Sequence, residues 1–133
     1  MESTKFKNSK SRIRVIQKLY NSLMNPDSEI DYPKGQYKKF IKDVVTGTLE
    51  RSKLIEDTIN LHISSDINLT KTDKLLKIIL FAAIYELIFK HATPKKVIIN
   101  EYLLASEHFL EKIQTGYLNA LLDKIAKKLR KEE

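Results

Sequence analysis

Residues 75–89 read LLKIILFAAIYELIF, and Lys77 and Glu86 are the only charged side chains in this segment. A helix that is apolar on nearly all of its sides is buried in globular proteins, because none of its faces favours contact with water. Such a helix fits at the centre of a bundle, where amphipathic helices surround it. The sequence therefore predicts an all-α fold that is built around this segment.

Amphipathic helical patterns flank the central segment on both sides. One apolar stripe starts near Ser11, with hydrophobic side chains at spacings of three and four residues. A longer pattern over 37–59 fits either one helix or two helices that are separated by a break near Arg51. Further helices are predicted over about 94–109 and from about Gly116 onward.

The composition agrees with a single helical domain over residues 1–133. A chain of 133 residues has an ordinary domain size, and its 3 glycines and 3 prolines are too few for a sheet with many tight turns. The absence of cysteine excludes disulfides and thiolate zinc sites. Residues 1–11 are polar and basic, so we expect them to form a mobile basic arm.

The formal net charge of +7 at pH 7 favours a polyanionic partner such as RNA, DNA or a membrane surface. Charge alone does not choose among these partners, and a generally lysine-rich proteome explains it as well. The longest apolar run, 78–85, falls well short of the roughly 20 residues that a membrane-spanning helix needs. Because the N-terminus also lacks a secretory signal pattern, we expect a cytoplasmic protein that does not insert into a membrane.

The side chains that could support catalysis or bind a metal are few. His62, His91 and His108 are far apart and lack a metal-ligand spacing such as HxxxH. Glu86 and Glu101 each lie among apolar neighbours, so we expect both to be buried and paired with hydrogen-bond donors or a cation. We therefore predict a protein that is not an enzyme and that needs no metal or cofactor.

The first predicted helix begins beside a cluster of positive side chains, formed by Lys5, Lys7, Lys10 and Arg12. Arg12 lies near the edge of the apolar stripe, from where it can reach over the end of the bundle. Lysine and arginine side chains that stand close together are suited to the phosphates of a nucleic acid. A solvated, flexible chain end explains the same cluster equally well.

The start of the last predicted helix carries a second candidate surface. Gln114 and Thr115 precede Tyr117 there. An exposed aromatic ring with amide and hydroxyl neighbours can stack on an unpaired base and read it. The spacing of Tyr117 and Leu121 favours a different position, in which the tyrosine packs into the core.

Five segments of the chain form an ordered set of motifs. They are RIRVIQKLY at 12–20, FIKDVVTG at 40–47, LFAAIYEL at 80–87, PKKVIINE at 94–101 and YLNALLD at 117–123. Together they resemble the motifs of the NusB family of transcription antitermination factors. Each motif alone is weak, but the ordered set with this spacing, which covers nearly the whole chain, is specific.

The resemblance implies an all-α compact bundle of about seven helices. It also implies binding to boxA, a short single-stranded element of leader RNA, jointly with NusE, which is also a small-subunit ribosomal protein. In the family, this pair takes part in a transcription antitermination complex with RNA polymerase, chiefly in ribosomal RNA operons.

The family's RNA surface is carried over to this chain at two positions. Arg12 matches the arginine-rich start of the first helix, and Tyr117 stands where the family has an aromatic at the start of the last helix. The resemblance therefore implies that Tyr117 contacts a base. The implied RNA-binding set is Lys5, Lys7, Lys10, Arg12, Gln114, Thr115 and Tyr117.

The family's arginine cluster is thinned to lysines in this chain, and arginine is the better bidentate partner of phosphate. This departure keeps two alternatives open. One is a helical protein-interaction adaptor without sequence-specific RNA binding. The other is the NusB-like RNA-binding domain of a ribosomal RNA methyltransferase, which would require a longer reading frame.

Overall fold

The computed structural model describes residues 2–133, with side chains from residue 10 onward. No strand occurs in this part of the chain, which confirms the all-α class, and it holds six helices rather than about seven. The helices are α1 (Glu2–Met24), α2 (Lys38–Glu50), α3 (Ser52–Ile63), α4 (Lys74–Phe89), α5 (Lys95–Ser106) and α6 (Lys112–Leu129).

Helix α4 lies at the centre of the bundle and contacts each of the other five helices. Nine of its sixteen residues are buried, whereas Lys77, Ile78, Phe81 and Ile88 on one side of the helix are half-buried. The carboxylate of Asp73 caps its start and accepts hydrogen bonds from the backbone N–H groups of Leu75 and Leu76, both at 3.1 Å. The predicted position of this helix is therefore confirmed. None of the helices in residues 2–133 has both the length and the apolar character to cross a membrane.

Two helix starts differ from the sequence-based expectations. Helix α1 begins at Glu2 instead of near Ser11. The segment between them contains no glycine or proline that would stop a helix. The prediction missed this part of the helix because it relied on the apolar stripe, which the segment lacks. Helix α6 begins at Lys112 instead of near Gly116. The predicted mobility of residues 1–11 stays a prediction.

The long pattern over 37–59 forms two helices that meet at Arg51. The backbone of Arg51 leaves the helical region there, with φ −111° and ψ 22°, so the second of the two predicted arrangements is confirmed. The change of direction lets α2 pack against α1 and α4 while α3 reaches α6.

Gly47 permits a close approach between α2 and α4. A Cβ atom built at Gly47 would overlap the ring and the hydroxyl of Tyr85, whereas one built at Gly116 of α6 would meet nothing within 4 Å. Tyr85 is itself buried, and its ring centroid lies 5.1 Å from that of Phe89. The ring therefore has little space into which it could retreat.

Gly47→Ala and Gly116→Ala are expected to change the free energy of unfolding in opposite directions. Alanine in place of helical glycine gains about 1 kcal/mol, but overpacking at Gly47 costs about 1–3 kcal/mol. Gly47→Ala should therefore destabilise the protein by up to about 2 kcal/mol, and Gly116→Ala should stabilise it. Urea denaturation of both variants measures this, and a stabilising Gly47→Ala would contradict the close contact with Tyr85.

Arg130 ties the end of α6 to the end of α4. Its buried guanidinium donates hydrogen bonds to four backbone carbonyls, those of Leu87 at 2.7 Å, Lys90 at 3.0 Å, Thr93 at 3.1 Å and Glu86 at 3.5 Å. The last carbonyls of a helix have no partner within the helix, so this side chain supplies donors that α4 lacks. Arg130 also forms an ion pair with Glu133.

Glu133 connects this cluster to the start of α5. Its carboxylate accepts a hydrogen bond from the backbone N–H of Lys95 at 2.8 Å. This bond, together with the neighbouring Arg130, lowers the pKa of the Glu133 carboxyl. Pro94 precedes the helix and provides no side-chain cap, so Glu133 satisfies a donor that would otherwise depend on water.

Candidate nucleic-acid interface

Arg12 of α1 points into the bundle and is only 5% exposed. Its guanidinium binds the carboxylate of Glu86 in α4 through two hydrogen bonds, Nη2 to Oε1 at 2.7 Å and Nε to Oε2 at 3.2 Å. Glu86 is fully buried, so the pair lies in a site that excludes water. A bidentate ion pair of this kind fixes the orientation of α1 relative to α4.

Two aromatic rings enclose the pair. The guanidinium carbon of Arg12 lies 4.8 Å from the ring centroid of Phe40 and 5.6 Å from that of Tyr102. The Tyr102 hydroxyl donates a hydrogen bond to Oε2 of Glu86. Complete burial, together with the negative charge of Glu86, raises the pKa of Tyr102 well above its ordinary value. Tyr102 therefore stays neutral and acts as a hydrogen-bond donor.

The charge state of Arg12 follows from the same surroundings. Burial disfavours its positive charge, but the charges of Glu86 and of the buried Glu101 outweigh this effect and raise the pKa of Arg12. The expected burial of both glutamates is confirmed, and Glu86 has both a cation and a hydroxyl donor as partners. The cluster is a structural ion pair within the core.

The placement of Arg12 argues against the predicted contact with phosphate. A side chain at the edge of the apolar stripe can point either outward or inward. Arg12 points inward because the buried carboxylate of Glu86 lies opposite it. Glu86 lies within an apolar segment and Arg12 lies at the edge of an apolar stripe. A pairing of these two opposite charges was the signal that the sequence offered. Lys10 remains exposed on α1, whereas the side chains of Lys5 and Lys7 lie outside the described residues.

Tyr117 lies at the surface of α6 with 40% of its side chain exposed, so the alternative of a core position is wrong. Its hydroxyl donates a hydrogen bond to the backbone carbonyl of Asp66 at 2.5 Å, in the segment that joins α3 to α4. The carboxylate of Asp66 in turn forms an ion pair with Lys124, Nζ to Oδ2 at 2.6 Å. Partial burial, with the nearby charge of Asp66, raises the pKa of Tyr117. The ring is neutral, held at its hydroxyl and half open to solvent.

Gln114 and Thr115 have partners within the protein. The side chain of Gln114 accepts a hydrogen bond from the backbone N–H of Glu111 at 3.0 Å, while the Glu111 carboxylate caps the first turn of α6 in return. Because of this capping box, the helix begins at Lys112 instead of at the predicted position near Gly116. The hydroxyl of Thr115 lies 3.4 Å from that of Ser106 in α5. Both side chains are half-buried and position the turn that precedes Tyr117.

The predicted RNA-binding residues lie on two separate parts of the bundle. Lys10 and Arg12 belong to α1, whereas Gln114, Thr115 and Tyr117 belong to α6. Within the described residues, α1 and α6 do not pack against each other, and α5 contacts both of them. A ligand that reaches both surfaces must therefore extend across the bundle.

No group of three histidine, aspartate or glutamate side chains in the described part of the chain is placed to hold a metal ion. The glutamates that sequence analysis singled out are instead engaged in the interior. Among the described candidate residues, the surface offers the positive charge of Lys10 and the fixed ring of Tyr117.

Comparison with known proteins gives a consistent set of similarities. Residues 4–127 match the family model described as the NusB family. The transcription antitermination protein NusB of Rickettsia akari (strain Hartford) is 30% identical over 154 aligned positions, which cover 98% of this chain and 99% of that relative. The protein of the same name from Rhodopseudomonas palustris (strain TIE-1) is 34% identical over 94 residues, which cover 71% of this chain and 54% of the relative.

The chain thus spans about half the length of the Rhodopseudomonas palustris relative in that match. Among solved structures, T. maritima NusB superposes with a TM-score of 0.78 at 22% sequence identity, and the superposition covers 91% of each chain. At this level of identity the superposition shows a common fold.

Proposed function

The chain belongs to the NusB family, and we propose that it is a transcription antitermination factor that binds boxA-type single-stranded leader RNA. In this proposal it binds the RNA together with NusE, the small-subunit ribosomal protein. The two then join a transcription antitermination complex in which RNA polymerase reads through terminators, chiefly in ribosomal RNA operons. The protein acts in the cytoplasm as an adaptor, without catalysing a reaction.

The exposed, tethered ring of Tyr117 is the observation that carries this proposal. Its hydrogen bond to Asp66 holds the ring in one orientation while 40% of the side chain faces solvent. A ring that is already fixed loses little conformational freedom when a base stacks on it. Ile113 lies one turn earlier on the same helix face and is 87% exposed, so it extends the apolar surface on which a base can rest.

Lys5, Lys7 and Lys10 bind phosphates in this proposal, and Arg12 no longer belongs to the RNA surface because it is buried. Gln114 and Thr115 act by positioning the helix start that carries Tyr117. If each of these three lysines neutralises one phosphate of a single strand, together they contribute about −2 to the slope of log affinity against log salt.

The test is to measure binding of a labelled boxA-type RNA and of a scrambled RNA, with and without NusE, at two salt concentrations. We expect selective, salt-sensitive binding of the boxA-type RNA that NusE strengthens. Binding to NusE without RNA selectivity would favour the protein-interaction adaptor, an alternative to which the burial of Arg12 gives weight. Binding to neither partner would contradict the proposal.

Tyr117→Ala is expected to weaken boxA-type RNA binding by about 1–3 kcal/mol, because it removes one base-stacking platform. Tyr117→Phe keeps the ring but loses the hydrogen bond to Asp66, so it should retain most of the affinity. Asn119→Ala, at another exposed position of α6, serves as the control. Equal affinities of the native protein and Tyr117→Ala would show that no base stacks on Tyr117.

A further inference from the structure

A continuous groove lies between α1 and the segment that joins α1 to α2. It consists of two adjoining depressions with volumes of about 240 and 350 Å³. The walls that the two depressions share are formed by Arg14, Pro33, Lys38 and Ile41.

Positive side chains line this groove from both sides. Lys10, Arg14 and Lys18 follow one another at intervals of four residues along α1, so they lie on one face of the helix. Lys34 and Lys38 line the groove from the joining segment and from the start of α2. No aspartate or glutamate lines either depression, and none of these five cations forms an ion pair with a described residue. The groove therefore carries uncompensated positive charge.

The start of α2 strengthens this positive potential. Helix α2 begins at Lys38, its preceding residue Tyr37 provides no side-chain cap, and its first turn contains no acidic residue. The first N–H groups of a helix and its dipole both favour an anion at this end. Tyr32 and Tyr37 pack against the core and fix the wall of the groove beside these cations.

The length of the groove suits a single nucleic-acid strand. From Lys10 to Lys18, α1 rises by about 12 Å at roughly 1.5 Å per residue. That distance corresponds to roughly three stacked nucleotides at about 3.4 Å each. A narrow, concave and strongly positive groove of this length fits a chain of phosphates better than a flat membrane surface.

We propose that this groove binds the phosphodiester backbone of single-stranded RNA and extends the RNA path beyond the start of α1. The inference rests on the proposed function, since it takes RNA as the ligand. Cationic side chains on phosphates position an RNA without reading its bases. The groove therefore supplies affinity and register, while the bases are read elsewhere on the protein.

The test compares two triple variants in the RNA-binding assay described above. Arg14→Ala/Lys18→Ala/Lys38→Ala removes three cations of the groove and leaves Lys10 in place. Lys71→Ala/Lys96→Ala/Lys128→Ala removes the same charge at exposed positions outside the groove. Losing three phosphate contacts should make the salt slope about 2 less negative and weaken binding roughly fiftyfold near 0.15 M salt. Far-UV circular dichroism and thermal denaturation check that both variants remain folded.

The outcomes test the groove and the proposed function separately. A large loss in the groove variant with a small loss in the control supports the groove. Equal affinities of the native protein and the groove variant, or equal losses in both variants, overturn the groove but leave the proposed function standing. If the native protein binds boxA-type and scrambled RNA equally and only the groove variant loses affinity, the groove stands and boxA selectivity fails. A native protein that binds neither RNA overturns both.

Discussion

Arg12→Ala is expected to lower the free energy of unfolding by about 3–5 kcal/mol, since removing one partner of a buried ion pair leaves the other charge unpaired. Glu86 would keep the hydroxyl of Tyr102 as a donor but lose both of its bonds to the guanidinium. The contacts of Arg12 with the rings of Phe40 and Tyr102 would be lost as well. Urea or guanidinium denaturation, followed by circular dichroism, measures the change.

Arg14→Ala is the matched control for this experiment. Arg14 lies on the same helix, is exposed and forms no ion pair with a described residue, so its loss should change stability by less than about 0.5 kcal/mol. Arg12→Met/Glu86→Leu replaces both charges by apolar groups and should recover much of the lost stability, because no buried charge remains unpaired. Similar losses for Arg12→Ala and Arg14→Ala would show that the buried pair does not stabilise the fold.

Arg130→Ala is expected to destabilise the protein by about 3 kcal/mol, a value at the upper end for hydrogen bonds that involve a charged group. The substitution removes the side-chain donor of the carbonyls of Leu87 and Thr93, at a site where Arg130 itself is only 6% exposed, while the carbonyl of Lys90 keeps the backbone N–H of Thr93. The substitution should loosen the end of α4 in addition to lowering the stability of the whole protein. Amide hydrogen exchange in the last turn of α4 should therefore accelerate more than exchange at its centre.

Lys128→Ala is the control, because Lys128 lies two residues earlier on an exposed face of α6. Arg130→Lys tests the geometry, since one ammonium group cannot reproduce the planar array of donors in a guanidinium. We expect an intermediate stability for this variant. If Arg130→Ala costs no more than Lys128→Ala, water replaces the guanidinium at the end of α4.

The centre of the fold could be predicted because its signal is local. The segment 75–89 is apolar on nearly all of its sides, and the structure places it in contact with all the other helices. The start of α6 could not be predicted in the same way, since it depends on the reciprocal hydrogen bonds of Glu111 and Gln114 and not on apolar spacing. The break at Arg51 is an intermediate case, because the pattern allowed it without requiring it.

The candidate site was harder to predict because its residues are distinguished by their partners. Arg12 and Arg14 are both arginines in the same turn of α1, yet one is buried against Glu86 and the other lines an open groove. Helical spacing places Tyr117 on the apolar stripe, but the carbonyl of Asp66 holds it at the surface. In both cases the deciding contact comes from a residue more than forty positions away along the chain.

Helix α1 keeps the side chains that maintain the fold apart from those that face outward. Arg12 joins the interior, while Lys10 and Arg14 of the same helix form no part of the core. Substitutions on the outer side can accumulate during evolution with little penalty in folding. Lineages can therefore change the charge on the outer side of this helix independently, whereas the inward arginine and its glutamate partner can change only together.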